Sequence, residues 1–105
     1  MKPIGTVNYE EARNALHSGR AKVIRSVTWA PARNVYMGLT PASDGPIPID
    51  RLWSPGMRML CAHFGVEPLV DESFTLWRNG NIAMGFEPST YEAYNDWILY
   101  AEDGE

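Results

Sequence analysis

The chain is poor in the residues from which most catalytic and metal sites are built. It has one cysteine and two histidines in 105 residues. A lone Cys61 excludes an internal disulfide and fits a reducing compartment; in the apolar helical pattern around it, it reads as a buried structural thiol. Neither His17 nor His63 lies in a Cys/His/carboxylate cluster at metal-ligand spacing, so no metal and no cofactor are expected. His63, between Ala62 and Phe64, reads as a core-edge side chain. The phosphate-loop and dinucleotide glycine patterns are missing, and no serine stands in a nucleophile-elbow context. Asp71 and Glu72 are adjacent ahead of a strand, and neighbours on an extended chain point apart, which disfavours them as an acid/base pair. The expected protein has no catalytic residues and is not an enzyme.

Positive charge is scarce too. Lys and Arg number nine against thirteen Asp and Glu, for a net charge of −4. The basic residues are scattered, whereas a protein that wraps a phosphate backbone needs them gathered, so no DNA or RNA duplex is expected as a partner. A small anion is still compatible, because one or two arginines and a few backbone N–H groups hold one. No apolar run reaches the length of a membrane span, and the first residues carry no signal-peptide core. The expected location is the cytoplasm, with no membrane partner.

What the chain does have is a globular composition, 45% hydrophobic and 21% charged, with four Trp and five Tyr. That argues against disorder and for a single domain over residues 1–105 with one core. Asn8 and Glu11 form a capping box ahead of Tyr9, Ala12, Ala15 and Leu16 at helical spacing, and Gly19 supplies a left-handed stop; the pattern predicts a helix from 9 to about 18. Residues 22–27 and 34–39 alternate and predict two neighbouring strands, with Val23, Arg25 and Val27 on one side of the first. Residues 40–54 carry Thr40-Pro41, Asp44-Gly45-Pro46 and Pro48 and predict no regular element.

Ser54-Pro55 then starts a helix. Its stripe of Met57, Leu60, Cys61 and Phe64, ended by Gly65, reads as core filler. Phe74 to Phe86 reads as a hairpin turned by Asn79-Gly80, with Trp77 opposite Ile82 and Leu76 opposite Ala83. Apolar residues on both its faces predict that it is central or covered on both sides. Ser89 and Glu92 form a second capping box before a short helical turn, and Ile98-Leu99-Tyr100 closes as a strand. The expected fold class is α+β, a small antiparallel sheet with an N-terminal helix and an inserted second helix.

Arg25, Trp29, Tyr36, Trp77, Tyr91, Tyr94 and Trp97 combine aromatic faces with a guanidinium. Purines stack on such faces at roughly 1–3 kcal/mol per base, and the planar fork of Arg suits phosphate. Filling the core of a small sheet protein is the competing use for the same rings.

Two blocks of the sequence resemble the phage Thoeris anti-defence two family. The first runs Asn8-Tyr9-Glu10-Glu11-Ala12-Arg13-Asn14-Ala15-Leu16, then Gly19-Arg20-Ala21-Lys22-Val23-Ile24-Arg25, with Trp29 and Val35-Tyr36-Met37 after it. The second holds Asn79-Gly80, Pro88-Ser89-Thr90 and Asp96-Trp97. Against that pattern, residues 40–73 look like an insertion carrying an extra helix, and Tyr91 stands where the family usually has a carboxylate.

The resemblance implies a phage protein acting in an infected bacterial host cell. Such a protein would sequester a cyclic nucleotide immune signal, a cyclic ADP-ribose isomer or cyclic oligonucleotide, without cleaving it. It also implies a homo-oligomer, dimer or tetramer, with pockets where subunits meet. In such a pocket Trp29, Tyr36 and Trp97 would stack or form walls, and Arg25 would sit near phosphate. Ser89, Thr90 and Asp96 would meet ribose or base edges, the first two at a helix start suited to an anion. A relative in that family is an anti-CRISPR, so a protein–protein inhibitor of a host immune effector is the alternative, with residues 40–73 as its surface. An unrecognised hydrolase is the third reading.

Overall fold

The computed structural model describes residues 1–104. It divides into two units, one formed by Met1–Thr40 with the segment from Ser73 on, the other by Pro41–Glu72. Among the described residues the first unit holds β1 (Lys2–Val7), α1 (Tyr9–Ser18), β2 (Val23–Ser26), β3 (Val35–Thr40), β4 (Ser73–Arg78), β5 (Asn81–Met84), α3 (Thr90–Tyr94) and β6 (Trp97–Ala101). The second holds a single 3-10 turn, Ile49–Arg51, and α2 (Pro55–Phe64). The fold is α+β. Its sheet is six-stranded and antiparallel in the order β1-β6-β2-β3-β4-β5.

Local signals at α1 act as the sequence predicts. The Asn8 side chain accepts from the Glu11 N–H at 2.9 Å and donates to the Glu11 carboxylate at 3.2 Å, so both halves of the cap are satisfied. Gly19 stops the helix at φ 79°, a conformation open to glycine at little cost. Ala12, Ala15 and Leu16 face inward and meet Ile24, Met37, Trp97 and Leu99 from the sheet. Burying such large apolar side chains stabilises the fold by roughly 1.5–3 kcal/mol each.

Strand alternation assigns the two sheet faces. Ile24, Met37, Leu76 and Leu99 pair across the strands and lie on the face that α1 covers. Arg25, Tyr36, Trp77 and Ile98 fall on the other. There Tyr36 packs between Trp77, at 6.1 Å between ring centroids, and Tyr100, at 5.5 Å.

The hairpin has the expected register, with Trp77 opposite Ile82 and Leu76 opposite Ala83. Its turn residues have positive φ, 49° at Asn79 and 89° at Gly80, which is what a type I′ turn requires. The expectation that it is central or doubly covered is wrong. β5 is the edge strand, and all four of its residues are exposed. Hydrophobic residues on both faces of a strand indicate cover only when a neighbour exists to provide it.

A second correction concerns α2. Ser54 caps it, accepting from the Met57 N–H at 3.4 Å, and Gly65 ends it at φ 66°, as predicted. Its stripe, however, is not core. No residue of α2 is buried, and Met57, Met59, Leu60 and Phe64 are all exposed. His63 is exposed rather than at a core edge, and Cys61 is half-buried rather than buried.

The third difference is an addition. β1 precedes α1 and pairs with β6, although its Pro3 and Gly5 make it a weak strand former. Its place at the sheet edge tolerates the proline, and the register shifts between Pro3 and Gly5. Pairing, not propensity, makes it a strand.

Candidate functional site

The connection from β2 to β3 sets up the site. Ser26, fully buried, holds the turn at its start. Its hydroxyl is 2.7 Å from that of Thr28 and accepts from the Thr28 N–H at 3.1 Å, while its carbonyl accepts from the Trp29 N–H. Arg25 holds the rest. Its guanidinium donates to the backbone carbonyls of Ala30, Arg33 and Val35, the last at 3.0 Å, and lies 5.5 Å from the Tyr36 ring centroid. A buried guanidinium needs its donors met, and here three carbonyls of one loop meet them.

α3 approaches from the other end of the sequence. Its capping box is complete, with the Ser89 hydroxyl accepting from the Glu92 N–H and the Glu92 carboxylate accepting from the Ser89 N–H at 2.8 Å. The second carboxylate oxygen of Glu92 accepts from the Trp29 indole N–H. Burial acts to raise the Glu92 pKa. The Ser89 backbone N–H, the Trp29 indole and the Ser89 hydroxyl outweigh it, so the net shift is below the ordinary value. One carboxylate therefore caps a helix and fixes the edge of an indole.

The result is a cleft of about 220 Å³ lined by Trp29, Arg33, Val35, Leu76, Arg78, Phe86 and Glu92. The pairing of β3 with β4 sets Val35 opposite Arg78, and Leu76 lies two register pairs inward, opposite Met37, on the same face. Phe86 stands edge-on to Trp29, with 6.3 Å between centroids and 62° between planes. Among the described residues neither the Arg33 nor the Arg78 guanidinium has a hydrogen-bonding or ion-pairing partner, and both side chains are exposed. The cleft thus offers two aromatic faces, two available cations and one carboxylate already committed.

A second depression, about 190 Å³, lies by Lys22, Tyr100 and Asp103, but the charged ends of Met1 and Asp103 there are paired at 2.6 Å. Among the described residues, no three His, Cys, Asp or Glu side chains gather as a metal site would require. Among the described residues no helix is long and apolar enough to cross a membrane.

The seven residues singled out in the sequence do not converge on one place. Trp29 lines the cleft. Trp97 lies under it, 5.2 Å from the Trp29 ring and fully buried, with its indole N–H donated to the Glu92 carbonyl at 3.1 Å. It supports a wall and is itself closed to a ligand. Ser89 and Thr90 are exposed at the start of α3, and Asp96 is exposed with its carbonyl accepting from the Val27 N–H. Arg25 braces the loop that carries Arg33, and Tyr36 falls on the opposite sheet face.

Sequence reasoning missed Arg33, Arg78, Phe86 and the second role of Glu92. The hairpin register places Arg78 at the end of its strand, and that much was readable. Its pairing with Val35 spans the whole of residues 41–72, and no local signal sets it. No protein-family model matches the chain, and no curated protein matches it.

Proposed function

We propose that this chain captures a small anionic ligand with a flat ring, a cyclic nucleotide signal, in the Trp29 cleft and holds it without cleaving it. The observation that carries this reading is the pair of guanidiniums, Arg33 and Arg78, that have no partner among the described residues and stand beside Trp29 and Phe86 in one cleft. A base or ribose would lie against the rings and a phosphate between the arginines. Glu92 has both oxygens engaged, so it serves as a brace for Trp29 and not as a proton shuttle. The resemblance to the phage Thoeris anti-defence two family supports the same class of ligand and the same outcome, sequestration of an immune signal.

Size argues about how the ligand is held. Pockets that enclose drug-sized ligands run from roughly 300 to 1,000 Å³. At about 220 Å³ this cleft takes one nucleotide-sized portion and leaves the remainder outside. A second copy of the chain closing over that remainder would complete the site, which is the oligomeric reading.

The experiment is direct. The protein is incubated with cyclic ADP-ribose isomers and with cyclic dinucleotides, separated from free ligand, and heated to release what it holds. Intact ligand in the released fraction is the expected result; degraded ligand would make the protein an enzyme, and no retained ligand would remove the proposal. Arg33→Ala and Arg78→Ala should each weaken binding by about 1.5–3 kcal/mol, roughly tenfold or more, and leave stability alone. Arg25→Ala should do the reverse, unfolding the chain more easily because three carbonyls lose their donor.

A further inference from the structure

The two edges of the sheet differ in kind. β1 forms one, and it is guarded: it carries Lys2 and Pro3, and its register with β6 shifts between Pro3 and Gly5. Charge, proline and irregularity are the devices by which natural sheets refuse further strands. β5 forms the other edge and has none of them. Asn81, Ile82, Ala83 and Met84 are uncharged and exposed, and their register with β4 runs without a shift.

Hydrogen-bond parity defines what this edge accepts. The Asn79-Gly80 turn closes on Arg78 and Asn81, so that pair exchanges bonds across the hairpin, and alternation makes Leu76 and Ala83 the next pair to do so. The N–H and carbonyl groups of Ile82 and Met84 therefore point away from β4. Among the described residues they find no partner on that side. The turn bounds this row at one end. Gly85 bounds it at the other, because its φ of 73° takes the chain out of strand conformation.

A second copy of the chain matches the row. Antiparallel pairing of two β5 strands about a two-fold axis at Ala83 sets Ile82 of each copy opposite the partner's Met84. Every outward N–H and carbonyl of both strands is then paired. An axis at Ile82 would instead set Met84 against the turn at Gly80 and leave its groups poorly met. The side chains favour the same register, since Ile82 and Met84 are apolar and Ala83 is small where it meets its own copy. The nearest charged residues along the chain, Arg78 and Glu87, flank the strand at opposite ends and have opposite signs. Antiparallel pairing lays each end beside the other, so no like charges are brought together.

We infer that β5 is a self-pairing edge through which two copies of the chain join their sheets into one. The row is short, so the dimer belongs to the weak, transient class, with a dissociation constant on the order of 10–100 µM. The inference stands apart from the Trp29 cleft, and its test needs no ligand.

The test uses the full chain. Sedimentation velocity from about 5 to 500 µM should show monomer passing to dimer. Ala83→Cys in a Cys61→Ser background reads the register. Its two thiols would lie on a non-hydrogen-bonded pair with Cα atoms about 4.5 Å apart, within the roughly 4.4–6.8 Å that a disulfide spans. Mild oxidation should link this variant at least about tenfold faster than Asn81→Cys in the same background, whose cysteine does not face its own copy. Ile82→Pro removes one outward N–H and keeps the bonds to β4, so it should weaken the dimer at least about tenfold with thermal unfolding close to that of the parent. Ile82→Lys with Met84→Lys opposes like charges and should abolish the dimer, whereas Ile82→Lys with Met84→Glu should retain it.

A chain that stays monomeric throughout the range overturns the inference, as do equal linking rates at positions 83 and 81 or a dimer that survives the two lysines. A monomer that binds an unrelated extended peptide rich in Val and Thr, and loses it with the two lysines, would assign the edge to another protein and overturn the inference as well.

Discussion

α1 and α2 follow the same local plan and meet opposite fates. Each is a ten-residue helix with a side-chain N-cap and a left-handed glycine after its last turn. Each has apolar residues at helical spacing. α1 buries Ala12, Ala15 and Leu16 against the sheet, while no residue of α2 is fully buried. Caps and periodicity therefore decide that a helix forms and which face is apolar, and say nothing about whether that face has a partner within the chain. Tertiary contact decides that.

Matched leucines on the two helices should differ most. Leu16→Ala should cost about 2–5 kcal/mol in urea unfolding, since it removes methylenes from a closed site and leaves a cavity. Leu60→Ala should stay within about 0.5 kcal/mol, as an exposed change away from special features does. Similar losses at the two positions would mean that α2 is packed after all.

A smaller effect sharpens the same contrast at the caps. Asn8→Ala should cost about 1 kcal/mol of global stability, because α1 belongs to the cooperative core. Ser54 makes a longer bond, 3.4 Å against 2.9 Å, to a helix with no buried face. Ser54→Ala should therefore leave the global midpoint nearly unchanged and show instead as faster amide exchange confined to α2.

The smallest effect concerns the third helix, which is anchored by a carboxylate rather than by an apolar stripe. The folded-state pKa of Glu92 lies below its ordinary value, so its contribution is complete above the unfolded-state pKa, near about 4.3. That contribution is lost as pH falls through the lowered folded value. Stability measured against pH should therefore decline on the acid side, and Glu92→Gln should flatten part of that decline. An unchanged acid slope in the variant would show that the Trp29 and Ser89 bonds do not favour the ionised form.

What could be read from the sequence divides along the same line. The capping pairs Asn8/Glu11 and Ser89/Glu92, the terminal glycines 19 and 65, and the Asn79-Gly80 turn all sit within a few residues of what they control, and each acts in the structure as its chemistry dictates. Long-range pairings are different. β1 is a strand because β6 lies beside it, and Arg78 reaches the cleft because β4 docks on β3 across a long excursion. The mixed fate of the seven predicted site residues has the same origin. Arg25, Trp29 and Trp97 are the right types of side chain in the right neighbourhood. Only the packing reveals that one braces a loop, one faces a cleft and one is sealed beneath it.

β3 ends at Thr40 and β4 begins at Ser73, and these two residues face each other in the ladder. Two pairs inside that point Gly38 lies opposite Thr75, and the hydroxyls of Thr40 and Thr75 are hydrogen-bonded, so the seam is closed on its own account. The polypeptide thus departs from the sheet and rejoins it at one and the same rung of the ladder, which is the geometry of a hairpin whose tip has been lengthened. Extending or shortening such a tip alters closure entropy only logarithmically. The position is consequently a natural graft point: segments of very different length and chemistry can be exchanged there while the strands on either side keep their register.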